Sequence, residues 1–322
     1  VSRLHPRRRK REGRERLIHT VRLTQEEGID VSKIEREQGK DVMVRLRAGG
    51  GGRPLFLVHP THGQGLCYGG LAVMLGSKHP VYALTSAGLA GGEPDRSIER
   101  MAQRYVERIV QHDPQGPYLL GGWSQGASIA LEMAQILRSS GREVAHLFSI
   151  DNLLMTTDVS PLTGERIDGD FLVLNLLFQQ VTTPQALHEF KSLDEAGKID
   201  HLLALATERK MYSPSMDRLM VRRMLEVFYL NCLAGWHYDK SRIDGYLEGL
   251  PLTYFMATES APFERERKGY LMLRDQFMAQ RSRQSPVIPI HGATHFNLLS
   301  MPHVKELATA LTAALERVQD VA

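Results

Sequence analysis

From residue 41 onward the apolar positions switch between two periods. Residues 41–46 (DVMVRL) alternate in strand fashion, and glycines 49–52 turn the chain. Leu55, Phe56, Leu57 and Val58 then run without a polar break, which suits a parallel strand buried on both faces. Gly63, Gly65, Gly69 and Gly70 mark a loop leading into a helix around 71–75, and 81–84 reads as another short strand. Ser97 opens a helix to about residue 111, with Ile98, Met101, Ala102, Tyr105 and Ile109 at helical spacing. Pro114 and Pro117 end it and feed a strand at 118–120. A helix to about Ser139, stopped at Gly141, precedes a strand at 144–150.

This strand–helix alternation from 54 to 151 predicts a mostly parallel sheet covered on both faces. The alternation then stops. Residues 152–249 hold no convincing strand but three helical patterns, at 170–181, 199–209 and 215–233. Strands return at 252–256 and 286–290, and a helix over 304–318 closes the pattern. The expected organisation is an α/β core over 41–318 with a helical lid inserted at about 152–249. Residues 1–40 stand apart as a basic and polar linker or helical extension.

Composition narrows the class. Of 322 residues, 42% are hydrophobic and 24% charged, the balance of a globular domain rather than a disordered or fibrous chain. The net charge of +3 is unevenly placed. Arg3, Arg7, Arg8, Arg9, Lys10, Arg11, Arg14 and Arg16 face only Glu12 and Glu15, and without that run the remainder is mildly acidic. Clustered arginines can neutralise phosphates, but no aromatics interleave them, so a solvated linker is expected and no nucleic acid. Two cysteines, Cys67 and Cys232, fit no metal-ligand spacing and suit a reducing compartment. No apolar run reaches the length of a membrane span, and the basic start lacks the apolar core of a signal peptide. The expected location is cytoplasmic, with no membrane partner.

The candidate chemistry centres on Gly122-Trp123-Ser124-Gln125-Gly126, set between strand and helix patterns. A serine on so tight a turn stands clear of the sheet, where a histidine can take its proton, and the flanking glycines remove side chains that would collide. His295, just after the last expected strand, is the candidate base. Two acids compete to orient it. Asp151 directly follows the strand at 144–150, and Glu259 lies two residues past the next; the shorter, stiffer Asp151 is favoured by placement. The oxyanion that forms on attack needs two backbone donors. One is the N–H of Gln125, at a helix start where the dipole favours negative charge. Thr61 is the choice for the second, with His62 as its neighbour; Pro60 has no N–H.

Phe56-Leu57-Val58-His59-Pro60, the run 97–105 (SIERMAQRY), the run 116–126 (GPYLLGGWSQG), Ile150-Asp151 and Thr294-His295-Phe296 together resemble a type I thioesterase domain. That is the releasing domain of nonribosomal peptide synthetases and polyketide synthases. The resemblance covers about residues 42–318 and implies an α/β-hydrolase fold. It also implies that the acid follows the strand after the elbow helix, which strengthens Asp151. Ser124 would take an acyl, peptidyl or polyketide chain from the phosphopantetheine thioester of a carrier protein. Hydrolysis or macrocyclisation would then release it. The pantetheine arm arrives with the partner, so no bound cofactor and no metal are expected. Two departures stand out: Thr61-His62 is bulkier than the small residues usual after His-Pro, and the lid is long. Residues 1–40 match no family feature; a linker from a carrier domain and helices that pair two copies are both open. Two other functions compete: a free-standing esterase or acyltransferase on small esters or acyl-coenzyme A, and a non-catalytic interaction domain of the same fold.

Overall fold

The structure, a computed structural model, describes residues 41–76, 78–152, 154, 168–178, 183–259 and 285–319, together with Asp275 and Ala279. The expectations for residues 1–40 and for part of the stretch after Asn152 lie outside these.

Among the described residues seven strands form one sheet in the order β1-β3-β2-β4-β5-β6-β7. They are β1 Met43–Arg47, β2 Leu55–Val58, β3 Val81–Leu84, β4 Tyr118–Trp123, β5 Val144–Ile150, β6 Leu252–Ala257 and β7 Val287–Ile290. Only β1 runs antiparallel, against β3; every other pair is parallel. Leu55, Phe56, Leu57 and Val58 are all inaccessible to solvent, so the unbroken apolar run reflects burial on both faces.

Helices cover each face. On one, α2 (Ile98–His112) and α3 (Gln125–Ser139) bury Met101, Tyr105, Ile129 and Met133 against Phe56, Leu120 and Tyr254. On the other, α1 (Gly69–Met74) and α9 (His303–Gln319) bury Leu71, Leu307 and Leu311 against Leu57, Phe148 and Phe255. Ser97 caps α2 by accepting the Arg100 N–H, as the sequence pattern predicts.

Between β5 and β6 the described residues form α4 (Gly169–Phe178), α5 (Pro184–Ser192), α6 (Glu195–Glu208), α7 (Arg218–His237) and α8 (Ile243–Leu247). Three of these coincide with the helical patterns of the sequence; α5 and α8 were not expected. The group has its own small core, which includes Val173, Phe190, Leu202, Leu225 and Tyr229. Lys198 of α6 reaches Asp170 of α4 at 2.8 Å, both largely shielded from solvent. The longest helix, α7, also leaves this core and touches the sheet domain. Its C-cap Tyr238 donates to the buried Glu132 of α3 at 2.8 Å, and burial raises the Glu132 pKa.

The parallel strands all point their carboxyl ends to one edge. Ser124 follows β4, Asp151 follows β5 and His295 follows β7, so the sheet alone delivers all three to that edge. No helix among the described residues is long and apolar enough to cross a membrane.

Candidate active site

Ser124 sits between β4 and α3 with φ 56° and ψ −130°, a left-handed backbone that a non-glycine residue rarely adopts. The turn is sustained from several sides. A Cβ on Gly122 would fall onto the Gly126 carbonyl, and one on Gly126 would fall onto the Val58 carbonyl oxygen, so both glycines permit close backbone approach. The Ser124 N–H donates to the Ile150 C=O at 3.0 Å. The Ser124 C=O accepts from Asn152 Nδ2 at 2.6 Å. The Trp123 N–H donates to the buried Tyr68 phenol at 2.7 Å.

The side chains then meet in a line. Ser124 Oγ lies 3.0 Å from His295 Nε2, and His295 Nδ1 lies 2.7 Å from Asp151 Oδ2. Nδ1–H donates to the carboxylate, which leaves Nε2 as acceptor for the serine O–H. Asp151 is buried, and its other oxygen, Oδ1, accepts the Ala257 N–H at 3.0 Å. Both carboxylate oxygens are therefore engaged, and the anion is solvated by the protein rather than by water. Glu259, the competing acid, has an exposed side chain; its N–H donates to the Ala293 C=O at 2.8 Å, which steadies the loop before His295. Asn297 Oδ1 accepts the Thr294 N–H at 2.7 Å and holds that loop from the other side.

Aromatic rings frame the imidazole. Trp123 lies between two histidines, with ring centroids 5.3 Å from His295 and 6.0 Å from His62. Phe296 stands nearly perpendicular to His295 at 5.3 Å. Burial pushes His62 down to about 4, and buried His59 beside it adds to the fall. His62 Nδ1 accepts the Gln64 N–H at 3.2 Å, which fixes the neutral ring with its proton on Nε2.

The two candidate oxyanion donors come from separate segments. Gln125 opens α3, where the first N–H groups have no partner within the helix. Thr61 follows β2 and Pro60. The Pro60 C=O accepts twice, from His59 Nδ1 and from the Gly63 N–H, each at 2.8 Å. In a planar trans peptide the N–H points opposite the C=O, so these bonds also aim the Thr61 N–H. Neither amide donates to a protein acceptor among the described residues. His59 is fully buried, and desolvation holds it at about 4; Nδ1–H donates to Pro60 and Nε2 accepts the Tyr105 O–H at 2.6 Å.

Three contributors were not foreseen from the sequence: Tyr68, Asn152 and Asn231. Tyr68 and Asn152 hold the turn, and Asn231 of α7 donates to the Thr61 C=O at 2.9 Å. Among the described residues no group of three histidine, cysteine or carboxylate side chains could hold a metal ion. Cys67 and Cys232 are free thiols whose pKa values burial pushes up.

A family model described as Thioesterase domain matches residues 53–202, from β2 through the elbow and into the helices after β5. Residues 53–202 are thus similar to a thioesterase domain. Among curated proteins it is similar to a dimodular nonribosomal peptide synthase of Bacillus subtilis, with 38% identity over 34% of this chain and 5% of that protein. The nonribosomal peptide synthetase apvA of Aspergillus terreus matches at 26% identity over 89% of this chain and 30% of that protein. The inactive atromentin synthetase of Paxillus involutus matches at 37% over 65% of this chain and 24% of that protein. The chain thus spans less than a third of these relatives.

Among solved structures, a four-domain nonribosomal peptide synthetase bound to AMP and glycine superposes with a TM-score of 0.63 at 24% identity, covering 88% of this chain and 21% of that one. The Vlm2 thioesterase domain bound with a dodecadepsipeptide gives 0.56 at 20%, covering 84% and 97%. These likenesses place the chain in the α/β-hydrolase fold.

Proposed function

We propose that this domain releases an acyl, peptidyl or polyketide chain from the phosphopantetheine thioester of a carrier protein through an ester on Ser124. The observation that carries the reading is the hydrogen-bonded line Ser124–His295–Asp151 on a strained elbow inside a stretch similar to a thioesterase domain. Similarity to nonribosomal peptide synthetases supports the carrier-bound substrate.

In the first half-reaction Ser124 Oγ attacks the thioester carbonyl carbon as His295 Nε2 takes its proton. The carbonyl π electrons move to oxygen, and the N–H groups of Gln125 and Thr61 hold that oxyanion. Collapse of the intermediate breaks the C–S bond, and the imidazolium returns its proton to the pantetheine sulfur. Asp151 fixes the imidazole tautomer and stabilises its cation. In the second half, a water, or a hydroxyl or amine of the chain itself, attacks the Ser124 ester. His295 takes the nucleophile's proton and passes it to the departing serine oxygen. Water gives a free acid; an internal nucleophile gives a ring. The helices between β5 and β6 serve as the lid over this edge, with some of their apolar residues facing the acyl chain.

The test pairs a fluorophosphonate probe with two substrates. The probe is expected to label Ser124, located by mass spectrometry, and labelling is expected to collapse in His295→Ala. A carrier-loaded acyl chain is expected to be released far faster than a short soluble ester. No adduct on Ser124, or labelling unchanged in His295→Ala, overturns the serine mechanism. Equal or better turnover of the short ester points instead to a free-standing esterase.

A further inference from the structure

Asn231 joins both segments that supply the oxyanion donors. It lies in α7, has no solvent-accessible surface, and stands 106 residues from Gln125 and 170 from Thr61 in the chain. Its side-chain Nδ2 donates to the Thr61 C=O at 2.9 Å. Its backbone C=O accepts from Gln125 Nε2 at 2.5 Å.

The neighbouring turns of α7 press on these two segments and on the loop after β3, at the i, i+4 spacing of one helix face. Four residues before Asn231, the methyls of Val227 fill the space where a Cβ on Gly63 or Gly88 would stand, 2.5 and 2.6 Å away. Four residues after, Gly235 leaves room for the Gln125 amide, which would come within 2.5 Å of a Cβ there. Arg223, one turn further back, donates to the Gly88 C=O at 2.9 Å.

We infer that Asn231 is the positioning residue of the oxyanion hole, setting the aim of the Thr61 N–H relative to the Gln125 N–H that opens α3. This rests on the serine mechanism proposed above. The geometric reason is that Thr61 is held on both sides. Its preceding carbonyl is fixed from within the loop by His59 and Gly63, whereas among the described residues its own carbonyl is fixed only from α7. Peptide planarity turns those two anchors into a fixed Thr61 conformation. Releasing the second lets the Thr61 backbone rotate and carries the donor off its mark. Packing alone does not explain the residue. Asn231 Oδ1 and Gln125 Oε1 are buried and accept no hydrogen bond from the described residues, so an apolar pair would seal this seam at less cost.

The experiment measures kcat and KM on an acyl-pantetheine thioester for Asn231→Ala and Asn231→Asp, normalised to sites titrated by the fluorophosphonate. Removal of one oxyanion donor typically costs about 10²–10³ in kcat. A displaced donor is expected to cost about 10–100-fold in kcat, with KM within about twofold. Affinity for an alkylboronic acid, whose tetrahedral adduct needs the same donors, is expected to fall in parallel. Val221→Ala, in the lid-side core of the same helix, is expected to lower the melting temperature while kcat per titrated site stays within about twofold.

Asn231→Ser offers a smaller change if the others fold poorly, and the same fall in kcat and boronate affinity is expected of it. Unchanged kcat and boronate affinity in the folded Asn231 variants overturns the inference while leaving the serine mechanism standing. An equal kcat loss in Val221→Ala also overturns it, by showing a general packing effect. Full turnover in Ser124→Ala would instead remove the underlying mechanism.

Discussion

Tyr68 is bonded to the residue immediately before the nucleophile: its phenol accepts the Trp123 N–H at 2.7 Å and donates to the Val58 C=O at 2.6 Å. One buried hydroxyl therefore ties β4, at the entry to the elbow, to the end of β2. Tyr68→Phe keeps the ring and strands two buried backbone groups. Each such group costs about 1–3 kcal/mol, so a loss of at least about 2 kcal/mol in urea unfolding is expected. Because the strained Ser124 conformation depends on this anchor, kcat is expected to fall more than KM rises. Stability and turnover equal to the parent would show that the turn holds itself.

Asp151 and Glu259 make a clean comparison. Asp151 faces His295 Nδ1 at 2.7 Å, whereas Glu259 is exposed beyond β6. Asp151→Asn is expected to leave the fold intact but favour the wrong imidazole tautomer, lowering kcat by about 10³–10⁴-fold. Glu259→Gln is expected to stay within about twofold. Steady-state release of an acyl-pantetheine substrate reads both, and near-normal release by the first variant would reassign the acid.

Much of the core was legible because burial and periodicity agree there. The run from Leu55 to Val58 reads as a buried strand, and Gly122 and Gly126 are glycines for a steric reason local to the turn. Helix α5 was missed because only Phe190 of its nine residues is buried, leaving no apolar stripe to read. Its start was nonetheless written in a Thr183 cap followed by Pro184. Asn231 was illegible for another reason. A polar residue in a helix ordinarily faces water, and nothing within its own helix marks the distant carbonyl and amide that it meets. Asp151 and Glu259 follow adjacent strands; placement directly at the strand end favours Asp151 in the sequence, and the three-dimensional register of the His295 loop brings the imidazole to it.

The glycines divide by what surrounds them. A Cβ on Gly126 would run into the backbone oxygens of Val58 and His59, neither of which can swing aside. Gly126→Ala is expected to cost about 3 kcal/mol or more, the upper end for a core steric insertion because the backbone oxygens cannot relax, and to abolish Ser124 labelling. Gly70, in α1, has open space where a Cβ would stand. Gly70→Ala is expected to be neutral or to gain about 0.5–1 kcal/mol from helix propensity. Thermal melts of the two variants test the contrast directly.

The buried histidines give the fold an acid limit of its own. His59 is lowered from 6.5 to about 4 chiefly by desolvation, with the Pro60 carbonyl and the charge of Asp95 opposing the fall. Between those two values the unfolded chain binds a proton that the folded chain refuses, so stability drops as pH falls from 6.5 towards 4 and levels off below. For one such group the loss between pH 7 and pH 5 is about 2 kcal/mol. His62 and His146 are also lowered to about 4 by burial and push in the same direction. Urea unfolding at pH 7 and pH 5 is therefore expected to show a marked loss at the lower value. His59→Gln removes one titrating group while its side-chain amide can still donate to Pro60, so its pH 7 to pH 5 difference is expected to shrink by about 2 kcal/mol. A difference equal to that of the parent would mean that His59 takes up its proton in the folded state as readily as in the unfolded one.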